Sequence, residues 1–263
     1  MKLTWTTTAS IILEHQGTVI AFDPFCGFSQ EGLKTDRARD LLTLYRKSKY
    51  IFVTHGHFDH ILHIPRICRK CPVSVYATKT PAATLIRRGI SPDKVTIIAP
   101  GHTQQIGPFK ITAFASRHCI FDLRLIVQTA ARCIATKQVR ALLKRLRLHQ
   151  TFPENGETLM YEVSCEGKRI QILGSLNLQK NVSCTTGADL LILPLQGKSS
   201  LTPYALSLTA KLLPKEILID HHDDSFPPLS ASIDPHPFAK EAERIYGITC
   251  RIPSPGELYE CTL

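Results

Sequence analysis

The stretch Thr54-His55-Gly56-His57-Phe58-Asp59-His60 decides how the rest of this sequence is interpreted. Three imidazoles and one carboxylate fall within six positions, directly after the apolar run Tyr50-Ile51-Phe52-Val53, which predicts a buried strand. A tight turn at Gly56 can bring such side chains towards one point, about 2.0–2.2 Å from each donor atom, as metal chelation requires. The stretch therefore predicts a divalent-metal site at the end of a strand. Imidazole ligands favour zinc, and manganese or iron could occupy the same set of ligands where they are more available.

Length and composition favour one domain with a large core. The chain has 263 residues, of which 43% are hydrophobic, and it contains no internal repeat, so we expect a single domain over residues 1–263. No run approaches about 18 uninterrupted apolar residues, and the N-terminus lacks the apolar block of a signal peptide. Nine cysteines without a disulfide framework are typical of a reduced setting, so a cytoplasmic location is expected.

The positive charge is concentrated in one segment. The chain carries a net charge of +10, and residues 117–150 hold eight basic residues against one acidic residue, a net charge of +7. A polyanion, an anionic membrane surface or an acidic small substrate could each be attracted by this field. Nucleic acid is not expected, because the segment has no interleaved aromatic residues on which bases could stack.

The same segment has helical periodicity. Apolar side chains recur at positions i, i+3, i+4 and i+7, with basic side chains on the opposite stripe: Val139, Leu142, Leu143 and Leu146 against Arg140, Lys144 and Arg147. This pattern predicts a basic, amphipathic helical insertion at about 122–149. We expect its apolar face to pack on the protein's own core, with peripheral contact to a lipid surface as the alternative.

Strands and helices occur in two rounds, roughly 1–116 and 158–263. Strands are predicted at 3–7, 10–14, 18–22, 50–54, 73–78, 94–99 and 109–116, and then at 158–165, 168–173, 188–195 and 216–219. Helices are predicted at about 38–47, after His60, from Pro81, at 204–213 and at 237–246. Two sheets packed face to face, with helices outside, would bury the apolar runs and bring the strand ends to one edge.

The spacing His55-x-His57-x-Asp59-His60 resembles the signature of the metallo-β-lactamase superfamily. The resemblance covers nearly the whole chain, because Asp23-Pro24 and the later histidines occur in the expected order. The pattern at 10–14 and 22–25 is similar to the lactonase and phosphodiesterase-like branch that includes L-ascorbate-6-phosphate lactonases. The resemblance implies a four-layer αββα sandwich, an α/β fold, with a one- or two-metal site at the sheet edge.

The resemblance also implies two sets of ligands. They are His55, His57 and His118 for a first metal, and Asp59, His60 and a late histidine for a second. The late histidine lies in Asp220-His221-His222-Asp223; related sequences with an aromatic residue after the histidine favour His221, and His222 is the alternative.

One departure from the superfamily pattern is marked. Members usually carry a metal-bridging Asp in a Gly-Asp pair after the strand corresponding to 169–173, where this chain has Gly174-Ser175-Leu176-Asn177. A hydroxyl is a weaker donor than a carboxylate and brings no charge, so two cations would repel each other with less compensation. One site could be weak, Asn177 or water could fill the gap, or the metals could be lost. Two, one and no bound metals all stay open.

The leading hypothesis is a metal-dependent hydrolase. A bound cation lowers the pKa of water from about 15.7 towards about 7, and the hydroxide would attack an ester, a lactone or a phosphodiester. Asp59 would hold the nucleophile and accept its proton. The substrate is expected to be a small or lipid-like anion. The alternative is a non-catalytic metal- or polyanion-binding module on a degenerate hydrolase site, which Ser175 supports. Oligomeric state is not predicted.

Overall fold

The computed structural model describes residues 1–28, 35–180 and 184–263, with the side chains of 35–39 excepted. The strands in this part of the chain are β1 Lys2–Trp5, β2 Ile11–His15, β3 Thr18–Phe22, β4 Tyr50–Phe52, β5 Ser74–Ala77, β6 Val95–Ile97, β7 Thr103–Ile106, β8 Phe109–Ala115, β9 Leu159–Cys165, β10 Lys168–Leu173, β11 Leu190–Pro194, β12 Glu216–Asp220, β13 Thr249–Arg251 and β14 Tyr259–Thr262. The helices are α1 Thr35–Tyr45, α2 Phe58–Ile61, α3 Ile64–Cys68, α4 Lys79–Arg87, α5 Leu123–Ala135, α6 Val139–Gln150, α7 Leu201–Leu212 and α8 His236–Tyr246.

The strands form two seven-stranded sheets. Their orders are β14-β1-β2-β3-β4-β5-β6 and β13-β12-β11-β10-β9-β8-β7. Strands β3 to β6 are parallel neighbours, and so are β10 to β13. Because parallel strands end at the same edge of a sheet, the loops after β3 and β4 lie together, as do those after β10, β11 and β12.

The central core lies between the two sheets. It is made of large apolar side chains from both, such as Phe22 and Phe52 from the first sheet and Tyr161 from the second. The Tyr161 hydroxyl donates a hydrogen bond to the carbonyl oxygen of Val53 at 2.7 Å, which ties β9 to the chain just after β4. Two further apolar clusters lie on the outer faces, one with α1 to α4 and one with α7 and α8. The predicted αββα sandwich is confirmed.

Three strands were missed by the sequence analysis. Strands β7, β13 and β14 are only three or four residues long, and β13 and β14 have no buried residue. Short edge strands of this kind lack the apolar alternation on which strand prediction depends. Helix α4 begins at Lys79, so Pro81 lies in its first turn instead of opening it.

The predicted insertion at 122–149 forms two helices, α5 and α6. The Asp122 carboxylate begins α5 by accepting a hydrogen bond from the Leu125 backbone N–H at 2.8 Å. Helix α6 has no buried residue, and the side chains of Val139, Leu143 and Leu146 are 42%, 49% and 40% exposed. The expectation that this apolar face packs on the core is therefore wrong.

Two arginines attach the insertion to the rest of the molecule. Nη2 of Arg132 donates to the carbonyl oxygens of Pro228 and Ser230, and Nε of Arg145 donates to that of Pro227. The Arg145 guanidinium also lies over the ring of Phe28, 3.9 Å from its centroid. The insertion is thus held by these polar contacts together with the packing of Leu148 on the outer cluster, and it leaves other apolar side chains exposed. None of the helices in the described ranges combines the length and apolar character needed to span a bilayer.

Candidate metal centre

The histidine-rich turn follows β4 and passes directly into α2. His57 is the residue before the helix and has extended backbone angles, so the chain bends sharply there. Gly56 is required by close packing, because a Cβ atom at this position would lie 2.2 Å from the backbone oxygen of Pro153. The turn is therefore pressed against the loop that follows α6. This packing fixes where the side chains of His55 and His57 begin.

The structure brings the six predicted ligand residues together in two groups. In each group every residue offers a ligand atom within 4.8 Å of the others: His55, His57 and His118 in the first, and Asp59, His60 and His221 in the second. In the first group, Nε2 of His55 lies 3.1 Å from Nδ1 of His57. Two nitrogens bound tetrahedrally to one zinc ion lie roughly 3.4 Å apart, so the spacing fits a metal.

The protonation states also fit a cation. Burial lowers the pKa of His55 well below its usual range and lowers the pKa of His57 to about 2. Burial lowers the pKa of His118 as well, so all three imidazoles are neutral and have a nitrogen lone pair at neutral pH. Burial opposes ionisation of Asp59, but His60 and His221 outweigh it and hold the pKa of this carboxyl below its usual range.

One buried carboxylate supports both groups from behind. Nδ1 of His60 donates to Oδ2 of Asp23 at 2.8 Å, which leaves Nε2 of His60 facing Asp59. The Thr54 hydroxyl also donates to Asp23, at 2.5 Å, and its oxygen lies 3.1 Å from Nδ1 of His55. Asp23 therefore holds His60 directly and His55 through Thr54. Such outer contacts fix the tautomer and orientation of metal-binding histidines.

His118 is oriented by its own loop. Its Nδ1–H donates to the carbonyl oxygen of Cys119 at 2.8 Å, which leaves Nε2 without a proton. The Ser175 hydroxyl accepts a hydrogen bond from the Cys119 backbone N–H at 3.0 Å, and the Asn177 amide donates to the His118 carbonyl oxygen at 3.1 Å. Ser175 and Asn177 thus hold the backbone of this loop, and neither belongs to the two ligand groups.

The late histidine in the second group is His221. Its Nε2 lies 3.2 Å from Oδ2 of Asp59, and Nδ1 lies 3.3 Å from the amide nitrogen of Gln196. His221 has a φ of +54°, an uncommon value for a residue other than glycine, and its backbone N–H donates to Thr8. His222 points elsewhere, since it stacks on Trp5 with 5.7 Å between ring centroids.

The other acidic residues near His221 have different surroundings. Both carboxylate oxygens of Asp223 accept the Thr8 backbone N–H, each at 3.1 Å. Asp223 therefore fixes the position of Thr8, whose carbonyl oxygen accepts the His221 backbone N–H. The Asp220 carboxylate is fully buried and makes no hydrogen bond to the described residues. Burial raises the pKa of Asp220 well above its usual range, which favours its neutral form. Neither carboxylate contacts a ring of the two groups through a hydrogen bond.

His149 is a residue of the site that sequence reasoning missed. It lies in the last turn of α6, and its ring contacts that of His57 in a tilted arrangement, with 4.4 Å between centroids. At the other end of the insertion, the Phe121 ring lies 5.8 Å from that of His118. The sequence offered one indication of this role, because His149 is the one histidine within α5 and α6. Both ends of the insertion therefore border the candidate centre.

Comparison with known proteins agrees with this geometry. Residues 18–122 match the family model of the beta-lactamase superfamily domain. A UPF0173 metal-dependent hydrolase from Methanopyrus kandleri is 22% identical over 264 aligned positions, which cover 99% of this chain and 100% of the relative. Over residues 18–122 this chain is therefore similar to the beta-lactamase superfamily. These comparisons do not test the finer resemblance to the lactonase branch.

Solved structures of the metallo-β-lactamase fold match along the whole chain. Igni18, a metallo hydrolase from Ignicoccus hospitalis, has a TM-score of 0.63 and 18% identity, with 100% of this chain and 98% of that chain covered. The metallo-beta-lactamase fold protein YhfI from Bacillus subtilis has a TM-score of 0.65 and 14% identity, with 99% and 98% covered. At these identities the likeness establishes the fold alone.

Proposed function

We propose that this chain is a metal-dependent hydrolase whose reaction takes place between the two ligand groups. The observation that carries the proposal is the convergence of five imidazoles and one carboxylate, drawn from three separate stretches of chain, into two adjacent groups. The naming of relatives such as the Methanopyrus kandleri protein as metal-dependent hydrolases supports it. When bound, a divalent cation would supply a Lewis acid and a source of hydroxide at neutral pH.

The ligand groups suggest how a cation would be held. His55, His57 and His118 would bind one ion through nitrogen alone, whereas the second group adds the carboxylate of Asp59. Asp59 is the one acidic residue in these groups, so it is the chief compensation for cationic charge within them. Zinc suits the nitrogen-rich groups best, with manganese or iron as the substitutes, and the number bound is one or two.

Asp59 is the proposed catalytic residue. It is buried and ionised, and its Oδ2 lies 3.2 Å from His221 and 3.6 Å from Nε2 of His60. A carboxylate in this position can hold an attacking water by a hydrogen bond and accept its proton. The imidazoles around it are themselves fixed by Asp23 and Gln196. Asp59 would therefore keep one orientation during the reaction.

We propose an anionic ester, lactone or phosphodiester as the substrate class. The support is electrostatic, because the +7 segment borders the site through Phe121 and His149. Ser175 was the support for the alternative, a non-catalytic module. Its hydroxyl holds the backbone of Cys119, and that role does not require a lost catalytic function.

Elemental analysis of the purified protein, followed by assay of a lactone, an ester and a phosphodiester, tests the proposal. We expect bound zinc, turnover that a chelator removes and added zinc restores, and loss of that turnover in His57→Ala and Asp59→Ala. The exposed His236, which pairs with Asp234, gives the control His236→Ala, which should keep both metal and turnover. Protein without metal after zinc loading would overturn the proposal in favour of the non-catalytic module.

A further inference from the structure

The insertion exposes an unusual amount of apolar surface. Of the fourteen exposed large apolar side chains among the described residues, nine lie in this segment or in the two residues before it: Ile120, Phe121, Leu123, Ile126, Val127, Ile134, Val139, Leu143 and Leu146. On α5 the exposed positions 123, 126, 127 and 134 follow helical spacing, which places them along one stripe. Soluble proteins seldom expose contiguous apolar surface of this kind without a partner.

The same segment also carries exposed basic residues. Two basic residues of the segment, Arg132 and Arg145, donate hydrogen bonds to the loop 227–230. Five others are exposed and have no hydrogen bond or ion pair with the described residues: Arg124, Lys137, Arg140, Lys144 and Arg147. We call these five residues, together with the nine exposed apolar side chains, the insertion face.

We propose that the insertion face docks on an anionic lipid bilayer surface. Apolar side chains would enter the boundary between headgroups and acyl chains, and the five basic side chains would contact anionic headgroups. Each basic residue near an anionic leaflet adds to the attraction, and the apolar residues add the burial that a purely electrostatic contact lacks. This inference concerns binding and does not depend on the proposed hydrolysis.

The chemistry of the insertion face disfavours other occupants. A second copy of the chain would bring one +7 segment against another, and like charges facing each other oppose association. A single-stranded nucleic acid would need aromatic side chains for base stacking, and Phe121 is the one aromatic residue on the insertion face. Helices that combine exposed aliphatic side chains with lysine and arginine on a neighbouring stripe are what a bilayer interface accommodates.

The insertion face also borders the candidate centre. Phe121 belongs to it and contacts His118, and α6 ends with His149 against His57. A bilayer docked on this face would therefore lie beside the first ligand group. Arg132 and Arg145 keep the helices attached through their hydrogen bonds, and the five unpaired basic side chains stay available for the lipid.

Vesicle co-sedimentation of the whole protein tests the proposal. The probes are vesicles of phosphatidylcholine alone and of phosphatidylcholine mixed equally with phosphatidylglycerol, at low and high salt. We expect binding to the mixed vesicles, little binding to the neutral ones, and weaker binding at high salt. No sedimentation with the mixed vesicles at low salt would overturn the proposal.

Two pairs of variants separate the contributions. The apolar double variant Ile126→Ser/Leu143→Ser and the basic double variant Arg140→Gln/Lys144→Gln should each lower affinity for the mixed vesicles by about tenfold or more. The matched controls, Ile97→Ser/Ile245→Ser and Lys211→Gln/Lys240→Gln, change exposed residues elsewhere and should bind as the wild type does.

The outcomes decide between lipid and other polyanions. All substituted side chains are exposed, so unchanged thermal unfolding should accompany the loss of binding. Wild-type affinity in both insertion variants would overturn the proposal. So would a loss in the basic variant alone together with equal binding of the wild type to single-stranded RNA, because this pattern denotes a purely electrostatic polyanion site.

Discussion

Nδ1 of His60 lies 2.8 Å from Oδ2 of Asp23, a carboxylate that also receives the hydroxyl hydrogen of Thr54. This one buried carboxylate therefore supports a residue of the second ligand group directly and His55 of the first group through Thr54. The two ligand groups are thus linked to each other through one buried side chain. An ion entering such a site meets imidazoles that are already turned towards it.

The first prediction concerns this shared carboxylate. Asp23→Asn removes the charge behind His60 and keeps the size of the side chain, and asparagine tolerates the positive φ of +44° at this position. We expect zinc affinity to fall about 10- to 100-fold in a chelator competition titration, because outer contacts orient the ligands. Asp189→Asn, whose carboxylate binds Lys215 instead, is the control and should keep wild-type affinity.

The second prediction separates ligands from neighbours at the centre. His57→Ala removes a member of the first ligand group, and we expect zinc affinity to fall by more than about 100-fold. His149→Ala removes the ring in contact with His57 but no member of either group, so metal content measured by elemental analysis should match the wild type. Equal metal loss in both variants would show that His149 itself binds the ion.

The third prediction concerns the loop that presents His118. Ser175→Ala leaves the buried backbone N–H of Cys119 without its acceptor, so the free energy of unfolding should fall by about 1–3 kcal/mol. Urea denaturation of the metal-free protein measures the effect. Ser207→Ala, at an exposed serine on α7, should change it by less than about 0.5 kcal/mol. An equal, small effect in both variants would contradict this role of Ser175.

The fourth prediction concerns acid stability. Burial lowers the pKa of His63 to about 4, and its Nδ1 accepts the Cys26 backbone N–H at 3.2 Å. Unfolded histidine has a pKa of about 6.5, so between these values the unfolded state binds more protons. Stability is therefore lost as the pH falls from about 6.5 to about 4, and His63 contributes at most about 1.4 kcal/mol per pH unit.

His63→Asn tests this dependence because asparagine offers an acceptor that does not titrate. The slope of unfolding free energy against pH should decrease across that window. Above about pH 7.5 His63 is neutral in both states, so the data there measure the change in packing alone. An unaltered slope below this pH would mean that His63 is not the titrating group.

The fifth prediction concerns the glycine in the histidine turn. In Gly56→Ala the new Cβ atom would meet the backbone oxygen of Pro153, so the turn must shift, at a cost of about 1–3 kcal/mol, and zinc affinity should fall. Gly156→Ala, in the same loop as Pro153, has open space but a φ of +75°, so it should lose stability and keep its affinity. Calorimetry with and without zinc compares the two.

The fold and most of the site were predictable because their signals are local. A buried run followed by three imidazoles and a carboxylate defines β4 and its turn without reference to any other part of the chain. The partnership of that turn with His118 and His221 was different, since it came from resemblance. Nothing in the spacing of these residues requires them to meet.

What the sequence did not predict depends on tertiary packing. The periodicity of α6 correctly marks Val139, Leu143 and Leu146 as one face, but periodicity does not specify what covers a face, and here the face is exposed. His149 contacts His57 only because the loop after α6 folds back on Gly56. The roles of Ser175 and Asn177 as supports of the His118 loop likewise depend on backbone atoms that a sequence pattern does not represent.

The close packing of Gly56 against the Pro153 backbone connects the insertion to the histidine turn by a path with little free space. A displacement of α6 would reach His57 through that loop as well as through His149. Thermodynamic linkage makes such coupling reciprocal. If a bilayer bound to the insertion face changes the affinity of the metal centre for its ion, then the bound ion changes the affinity of the protein for the bilayer by the same factor. In such a molecule a bilayer would act as an allosteric effector of metal binding.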